Sequence, residues 1–355
     1  MGNSAVTGDG GQLAPTFPTF KGRPGWEFTD ISALDVSAYE LSPVRPTLGS
    51  DAPGALWDLP AAEMPAGVEL RLADGEAVIT VASGVVVERP IALTTLVQDG
   101  RLANLRTRIV LREGAQAEIW EQYLSAGDCL LNVATELEVG TNASHRYICG
   151  QSLSEEAWIF GAQNATVGRD ARLDWVALGF GSRSGHVLMQ TRLVGEGAEA
   201  RVTGAYATHN SQHIDFDTTQ EHAAQNTTSD LAFRGVLQDR SSAVWKGNII
   251  VDPGAQKTDA FQDSRNLLIS KRAHADAIPG LEIQANDVRC THAAAVAQVD
   301  PEQLFYLRSH GISAPEAKRL VIEGFLAALV ERFEQGSVRE VLAGALERRL
   351  ALILG

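Results

Sequence analysis

Between residues 68 and 290, apolar and polar side chains alternate in short runs. ELRLADGEAVITV and TRIVLREGAQAEIWEQYL show the two-residue period of half-buried strands. Asp74-Gly75 and Asp99-Gly100 supply turns between such runs. After Asp300 the period becomes helical. Asp300-Pro301-Glu302-Gln303 reads as an N-cap, a proline at the first helical position and a capping-box partner, and LFYLRSHG stops at Gly311. Ser313-Ala314-Pro315-Glu316 opens a second helix carrying Leu320, Val321, Phe325, Leu329 and Phe333 at helical spacing. Gly336-Ser337 and Glu340 open a third, with Leu342, Leu346 and Leu350. So much apolar surface on short helices must pack on the β region or on a partner.

Upstream, GWEFTDISALDVSAYEL (25–41) predicts a short helix or two, packed through Trp26, Phe28, Ile31, Leu34 and Tyr39. Residues 42–60 read as a Pro/Gly-rich connection and residues 1–20 as a flexible tail. The expected organisation is a tail (1–20), a partly helical N-terminal region (21–67), a β core (68–299) and a C-terminal helical domain (300–355).

The strand region also repeats. Aligning Ala115, Ala143, Ala171, Ala198, Thr228 and Ala255 gives spacings of 28, 28, 27, 30 and 27 residues. Each copy has a small residue after a turn, then an alternating strand. A near-constant period with β content predicts stacked coils, each burying its inner face on the next. Such a stack needs a corner at every turn, which accounts for 33 glycines.

Charge divides the 355 residues in the same place. The formal net charge is −14, yet residues 301–355 carry seven basic and seven acidic side chains, so the deficit lies in the first 300. An acidic surface excludes nucleic acid and anionic membrane as expected partners. Cys129, Cys149 and Cys290 are odd in number and widely spaced, which argues against a disulfide framework and for a reducing compartment. The segment MGNSAVTGDGGQLAPT carries no apolar signal core, and no apolar run reaches membrane-spanning length. A cytoplasmic location is expected.

Two groups of side chains carry candidate chemistry. His213, Asp215 and Asp217 alternate along one strand and share a face, with His222 nearby, a set that can bind zinc or iron. The same alternation describes an ordinary solvent-facing strand. Cys290 and His292 are two residues apart and project to one side of a strand. A thiol lowered in pKa by an imidazole is a nucleophile or a soft-metal ligand, whereas a lone cysteine is commonly a small buried hydrophobe. There is no GxxxxGK[ST], GxSxG or HExxH, and GFGSRSG (179–185) reads as a loop. A nucleotide hydrolase, if one is needed, is another chain.

The segments FRGVLQDRSSAVWKGNIIVDPGAQKTDAFQDSRNLLIS (233–270), IPGLEIQANDVRCTHAAAVAQVDPEQLFYLRSHGIS (278–313) and AKRLVIEGF (317–325) resemble the SufB/SufD family of iron–sulfur cluster assembly proteins. GWEFTDI resembles that family's entry segment. The SufD type is the nearer match. VRCTH resembles its KCSH segment, and Ser264 stands where SufB members carry a cysteine. The family pattern HGATVG becomes His292-Ala-Ala-Ala-Val-Ala297, with both glycines replaced by alanine.

This resemblance implies a mainly β fold, a right-handed parallel β-helix flanked by N- and C-terminal helical regions. It implies a non-catalytic scaffold subunit that pairs with a SufB-like partner and docks the ATPase SufC. Cys290 and His292 would stand at the SufB junction, and Phe305, Tyr306, Arg308 and Gly311 would meet the ATPase. No cofactor is expected to be held stably by this chain alone, with iron or an iron–sulfur cluster passing transiently at the interface. The alternatives are a SufB-like homodimeric scaffold, or a metal-dependent β-helix enzyme on acidic polysaccharide using His213, Asp215 and Asp217.

Overall fold

A computed structural model describes residues 26–333 and 337–354. The tail expected over residues 1–20 lies outside the described residues. Two parallel sheets dominate the rest. One takes the strands Arg101–Leu111, Cys129–Val139, Trp158–Val167, Ser184–Leu193, His213–His222, Ser242–Val251 and His274–Ile283. The other takes Ile91–Val97, Gln116–Ser125, Ser144–Ser152, Arg172–Gly179, Glu199–Thr208, Thr228–Leu237, Asp259–Leu268 and Arg289–Gln298. Successive strands fall in alternate sheets, so the chain winds as a parallel β-solenoid of about eight turns. Inward residues such as Leu173, Trp175 and Ala177 fill the space between the sheets, while Arg172 and Asp174 point out.

The corner residues show why this sequence winds. Gly114, Asn142, Asp170, Gly197, Asn226 and Lys257 all have left-handed backbones, with φ between 52° and 74°. Glycine, asparagine and aspartate tolerate that conformation best. Each donates its backbone N–H to a carbonyl of the next coil, as Asn142 does to Arg169 at 2.8 Å. Each is followed by a fully buried small residue: Ala115, Ala143, Ala171, Ala198, Thr227 and Thr258. Four of the six repeat anchors therefore fall on this position. The last two need correction, from Thr228 to Thr227 and from Ala255 to Thr258. In those coils a threonine replaces alanine and ties the corner through its own hydroxyl, Thr258 Oγ1 donating to Ala255 O at 2.9 Å.

The N-terminal end of the stack is closed. Val68–Ala73 pairs antiparallel with Glu76–Val81, and Thr47–Leu48 antiparallel with Ile91–Val97. Upstream, the helical content of the described N-terminal segment is one 3-10 turn, Val36–Ala38. The segment instead lies as an irregular strap over the first sheet. Trp26, Ile31, Leu34 and Tyr39 pack on Leu102, Leu130, Trp158 and Phe160, while Phe28, expected to pack, is exposed.

Three helices follow the last strand: α1 (Pro301–Ser309), α2 (Ala314–Val330) and α3 (Ser337–Leu354). The Asp300 side chain accepts from Glu302 N, and the Ser313 side chain accepts from Glu316 N. Gly311, at φ 87°, ends the first helix as expected. Helices α2 and α3 lie on the outer face of the second sheet, over Ala205, Ala207, Ala232 and Val236. Their buried stripes are Ile322, Leu326 and Leu329, and Leu342, Leu346 and Leu350. Leu320, read as part of the α2 stripe, is exposed, because a second apolar stripe at the same spacing faces the sheet. Arg349 fixes α3 by donating to Ala207 O at 3.0 and 2.8 Å and to Gln212 Oε1 at 3.0 Å. Among the described residues no helix is long and apolar enough to cross a membrane.

Candidate functional site at the open end of the solenoid

The solenoid's C-terminal end carries no covering strand among the described residues. Its last coil consists of His274–Ile283 and Arg289–Gln298, ten residues each, and each strand has one unpaired edge. Cys290 and His292 lie on the second of these, in register with Ala260 and Gln262 one coil below. Both continue inward-facing rows of the stack, so the expected shared side is met. Because nothing lies above them, His292 is exposed and Cys290 is half-buried. Leu281, Ile283 and Val296 continue other inward rows and are likewise exposed.

Cys290 packs beside Ile249, Val251, Ala255 and Ala260. Its thiol is raised from its ordinary value, first by burial and then by the Asp259 carboxylate. Of the two readings open from the residues, the raised thiol follows that of a small, partly buried hydrophobe, with burial and the Asp259 carboxylate acting in the same direction. A metal that binds here must displace the thiol proton. The other two cysteines are inert by burial, with Cys129 and Cys149 both pushed up to about 12.

Beneath the open coil lies a buried polar layer, Gln262, Ser264 and Asn266. Tyr206 Oη donates to Asn266 Oδ1 at 2.5 Å. Three atoms of this layer, Gln262 Oε1, Ser264 Oγ and Asn266 Nδ2, have no hydrogen-bond partner among the described residues. Ser264 sits directly under Ala294. The two alanines that replace family glycines, Ala293 and Ala297, keep ordinary strand backbone and pair with Asp263 and Leu267. No left-handed conformation is needed at either, so the substitution is absorbed without strain.

Helix α1 buries none of its residues. Phe305 is 73% exposed and Tyr306 62% exposed. Phe305, Arg308 and Gly311 share one shallow recess with Ile312 and Ser313. Tyr306 lies off that recess, its ring 4.5 Å from that of His310.

His213, Asp215 and Asp217 do share the outer face of one strand, but each is engaged by protein. His213 Nδ1 is 2.8 Å from Ser242 Oγ. Asp215 accepts from Thr29 Oγ1 at 2.6 Å and lies 2.8 Å from His186 Nδ1. Asp217 pairs with Lys246 at 3.3 Å. Among the described residues no three His, Cys, Asp or Glu side chains are grouped to hold a metal ion. Nearby His222 is also committed, with both ring nitrogens on hydroxyls of Thr227 and Ser229. The Thr29–His186–Asp215 cluster escaped the sequence reading. Its signal was there, since His186 and Asp215 are 29 residues apart, one coil of the stack.

The profile for the SUF system FeS cluster assembly, SufBD core domain, matches residues 94–325, most of the solenoid together with α1 and the first part of α2. The chain belongs to the SufBD family. SufD of Bacillus subtilis is 32% identical over 286 residues, covering 79% of this chain and 65% of that protein. SufD of Escherichia coli is 30% identical over 319 residues, covering 88% and 74%. A SufBD family protein of Mycobacterium leprae is 34% identical over 199 residues, covering 54% and 51%. The chain spans less than two thirds of the length of the Bacillus and Mycobacterium leprae proteins. Within the family it is SufD-like.

Proposed function

We propose that this chain is a non-catalytic scaffold subunit of the SUF iron–sulfur cluster assembly system, working in the cytoplasm. Its open end pairs with a SufB-like subunit. The observation that carries this reading is the end of the solenoid. Two ten-residue strand edges, exposed Leu281, Ile283 and Val296, and an adjoining thiol and imidazole all meet there. Unpaired edges of that length bind another strand or aggregate, so a partner is their natural cover. Cys290 supplies a thiolate once its proton is displaced, and His292 an imidazole, a donor pair suited to iron and iron–sulfur cargo.

The SufC-like ATPase docks on α1, where Phe305 is an aromatic anchor standing over the recess shared with Arg308 and Gly311. ATP-driven movement of the ATPase subunits then shifts the strand-to-strand junction and gives cargo access to Cys290 and His292. The self-complementary edges also favour a homodimer of this chain when no partner is present.

Co-expression with SufB-like and SufC-like chains tests this directly. A stable complex of defined stoichiometry that acquires iron is expected, with iron lost in Cys290→Ala and His292→Ala. A chain that purifies alone from that mixture, or as much iron in both variants as in the parent complex, overturns the reading.

A further inference from the structure

The carboxamide of Gln262 is held on one side only. Its Nε2 donates to Gly247 O at 3.2 Å and to Gly280 O at 3.3 Å. Two carbonyl acceptors at that end fix which end is nitrogen, because a flipped amide would set oxygen against oxygen. Oε1 is thereby left as the acceptor, fully buried and without a partner among the described residues. An orphaned buried carbonyl is costly, and such atoms in folded proteins are normally met by a donor.

The space around this amide is built for it. A Cβ on Gly247 would lie 2.8 Å from Gln262 Oε1 and 2.2 Å from the Trp245 ring. Glycine at 247 therefore leaves room for both side chains. The amide reaches from the penultimate coil to Gly280, on the opposite wall of the last coil. It spans the lumen at the level of the open end.

The orphaned donors of the same lumen, Trp245 Nε1 and Asn266 Nδ2, make no hydrogen bond to it among the described residues. Ser264 lies two residues along the same strand, roughly 7 Å away by strand geometry and outside direct reach. His292 is the residue in register with Gln262 on the neighbouring strand, about 4.8 Å away between backbones, with its side chain in the same inward row. The imidazole makes no hydrogen bond among the described residues. A ring ligating a metal through one nitrogen needs an acceptor for the N–H of the other, which sets its tautomer and orientation.

We infer that Gln262 is the positioning residue for His292: its Oε1 accepts the imidazole N–H once a partner covers the open coil, and so aims the other ring nitrogen at incoming iron. This rests on the proposed role of His292 at the partner junction. No proton is gained or lost in the step, since the neutral ring donates the hydrogen it already carries.

The test uses the complex of this chain with its SufB-like and SufC-like partners, with Co(II) as a spectroscopic probe for the iron site. Gln262→Met keeps the length of the side chain and removes the acceptor. Gln262→Asn keeps the amide but shortens its reach, and Gln262→Glu, kept protonated by burial so that its hydroxyl donates to Gly247 O or Gly280 O in place of Nε2, keeps an oxygen where Oε1 stands. Co(II) affinity is expected to fall about 10- to 100-fold in the Met and Asn variants. It is expected to stay within about threefold of the parent in the Glu variant, a rescue that a merely structural role would not show. Should Gln262→Met fail to fold or assemble, the contrast between Asn and Glu decides. Wild-type Co(II) binding in the Asn variant, with binding lost in His292→Ala, overturns this inference alone. Wild-type binding in His292→Ala overturns the assembly-site reading and this inference with it.

Discussion

Thr29 Oγ1 donates to Asp215 Oδ2 at 2.6 Å across 186 residues of sequence, with both side chains buried. His186 Nδ1 stands 2.8 Å from the same oxygen, and the Trp26 ring lies 4.5 Å from the His186 ring. The outer face of the first sheet thus holds the N-terminal strap by one answered carboxylate as well as by apolar contact. Thr29→Val keeps the shape and removes a donor, leaving His186 as the carboxylate's partner. The loss is about 1–3 kcal/mol, felt locally as opening of the strap. Amide exchange over residues 26–39 should quicken by tenfold or more, while exchange in Thr228–Leu237 stays as it was. Unchanged exchange in the strap would show that apolar packing alone holds it.

Acid should weaken the stack through its buried imidazoles. His222 bonds Thr227 and Ser229 through its two ring nitrogens, and burial brings it down to about 4. His145, fully buried beside Ala117 O, is also lowered to about 4. The unfolded chain protonates such rings near 6.5, the folded chain only near 4. Unfolding therefore takes up protons between those values, and stability drops as pH falls from 6.5 towards 4. Glu121 works in the opposite sense, because burial raises its carboxyl. The contribution of His222 is isolated by difference. His222→Gln should flatten the slope of unfolding free energy by up to about 1.4 kcal/mol per pH unit, read from urea midpoints between pH 7 and pH 4.5.

The coil period and the shared side of Cys290 and His292 were legible because each depends on short-range pattern. The anchors Ala115, Ala143, Ala171 and Ala198 each follow a glycine, asparagine or aspartate that turns the corner. The reading slipped where the register lengthens, from 28 residues between Gln116 and Ser144 to 31 between Thr228 and Asp259. Lys257, a residue type that rarely takes a left-handed backbone, gave no corner signal there. What stayed hidden depends on three-dimensional neighbours. The pull of Asp259 on the Cys290 thiol, the orphaned Gln262 oxygen and the strap on Asp215 all arise between coils. So does the choice between two apolar stripes on α2, which only the sheet beneath it decides.

Cys290 should be a slow nucleophile for a half-exposed thiol. Burial and Asp259 both raise it, so its thiolate fraction at neutral pH is below that of a free cysteine. Arg289 pairs with Asp259 and offsets part of that charge. Asp259→Asn removes the carboxylate and releases the guanidinium, two changes that both favour thiolate. Alkylation by iodoacetamide, followed by peptide mass mapping, should label Cys290 slowly in the parent chain and several-fold faster in the variant. Cys129 and Cys149 should stay unlabelled under native conditions in both. Equal rates would mean that access, not acidity, limits the reaction.

Phe305 offers the clearest separation of binding from folding. It is 73% exposed on a helix with no buried residue, so Phe305→Ala removes almost no internal packing. Its cost in stability should be within about 0.5 kcal/mol. Leu326 is the control, since it is buried where α2 meets the second sheet. Leu326→Ala should cost about 2–5 kcal/mol through the cavity it leaves. If α1 is where a SufC-like ATPase docks, the ranking reverses for binding. Loss of an aromatic anchor weakens association by 2 kcal/mol or more, roughly thirtyfold, whereas Leu326→Ala leaves the contact surface in place. Urea unfolding and a titration with the ATPase, run on the same two variants, give the comparison. A Phe305→Ala chain that binds the ATPase as tightly as the parent would move the docking surface away from α1.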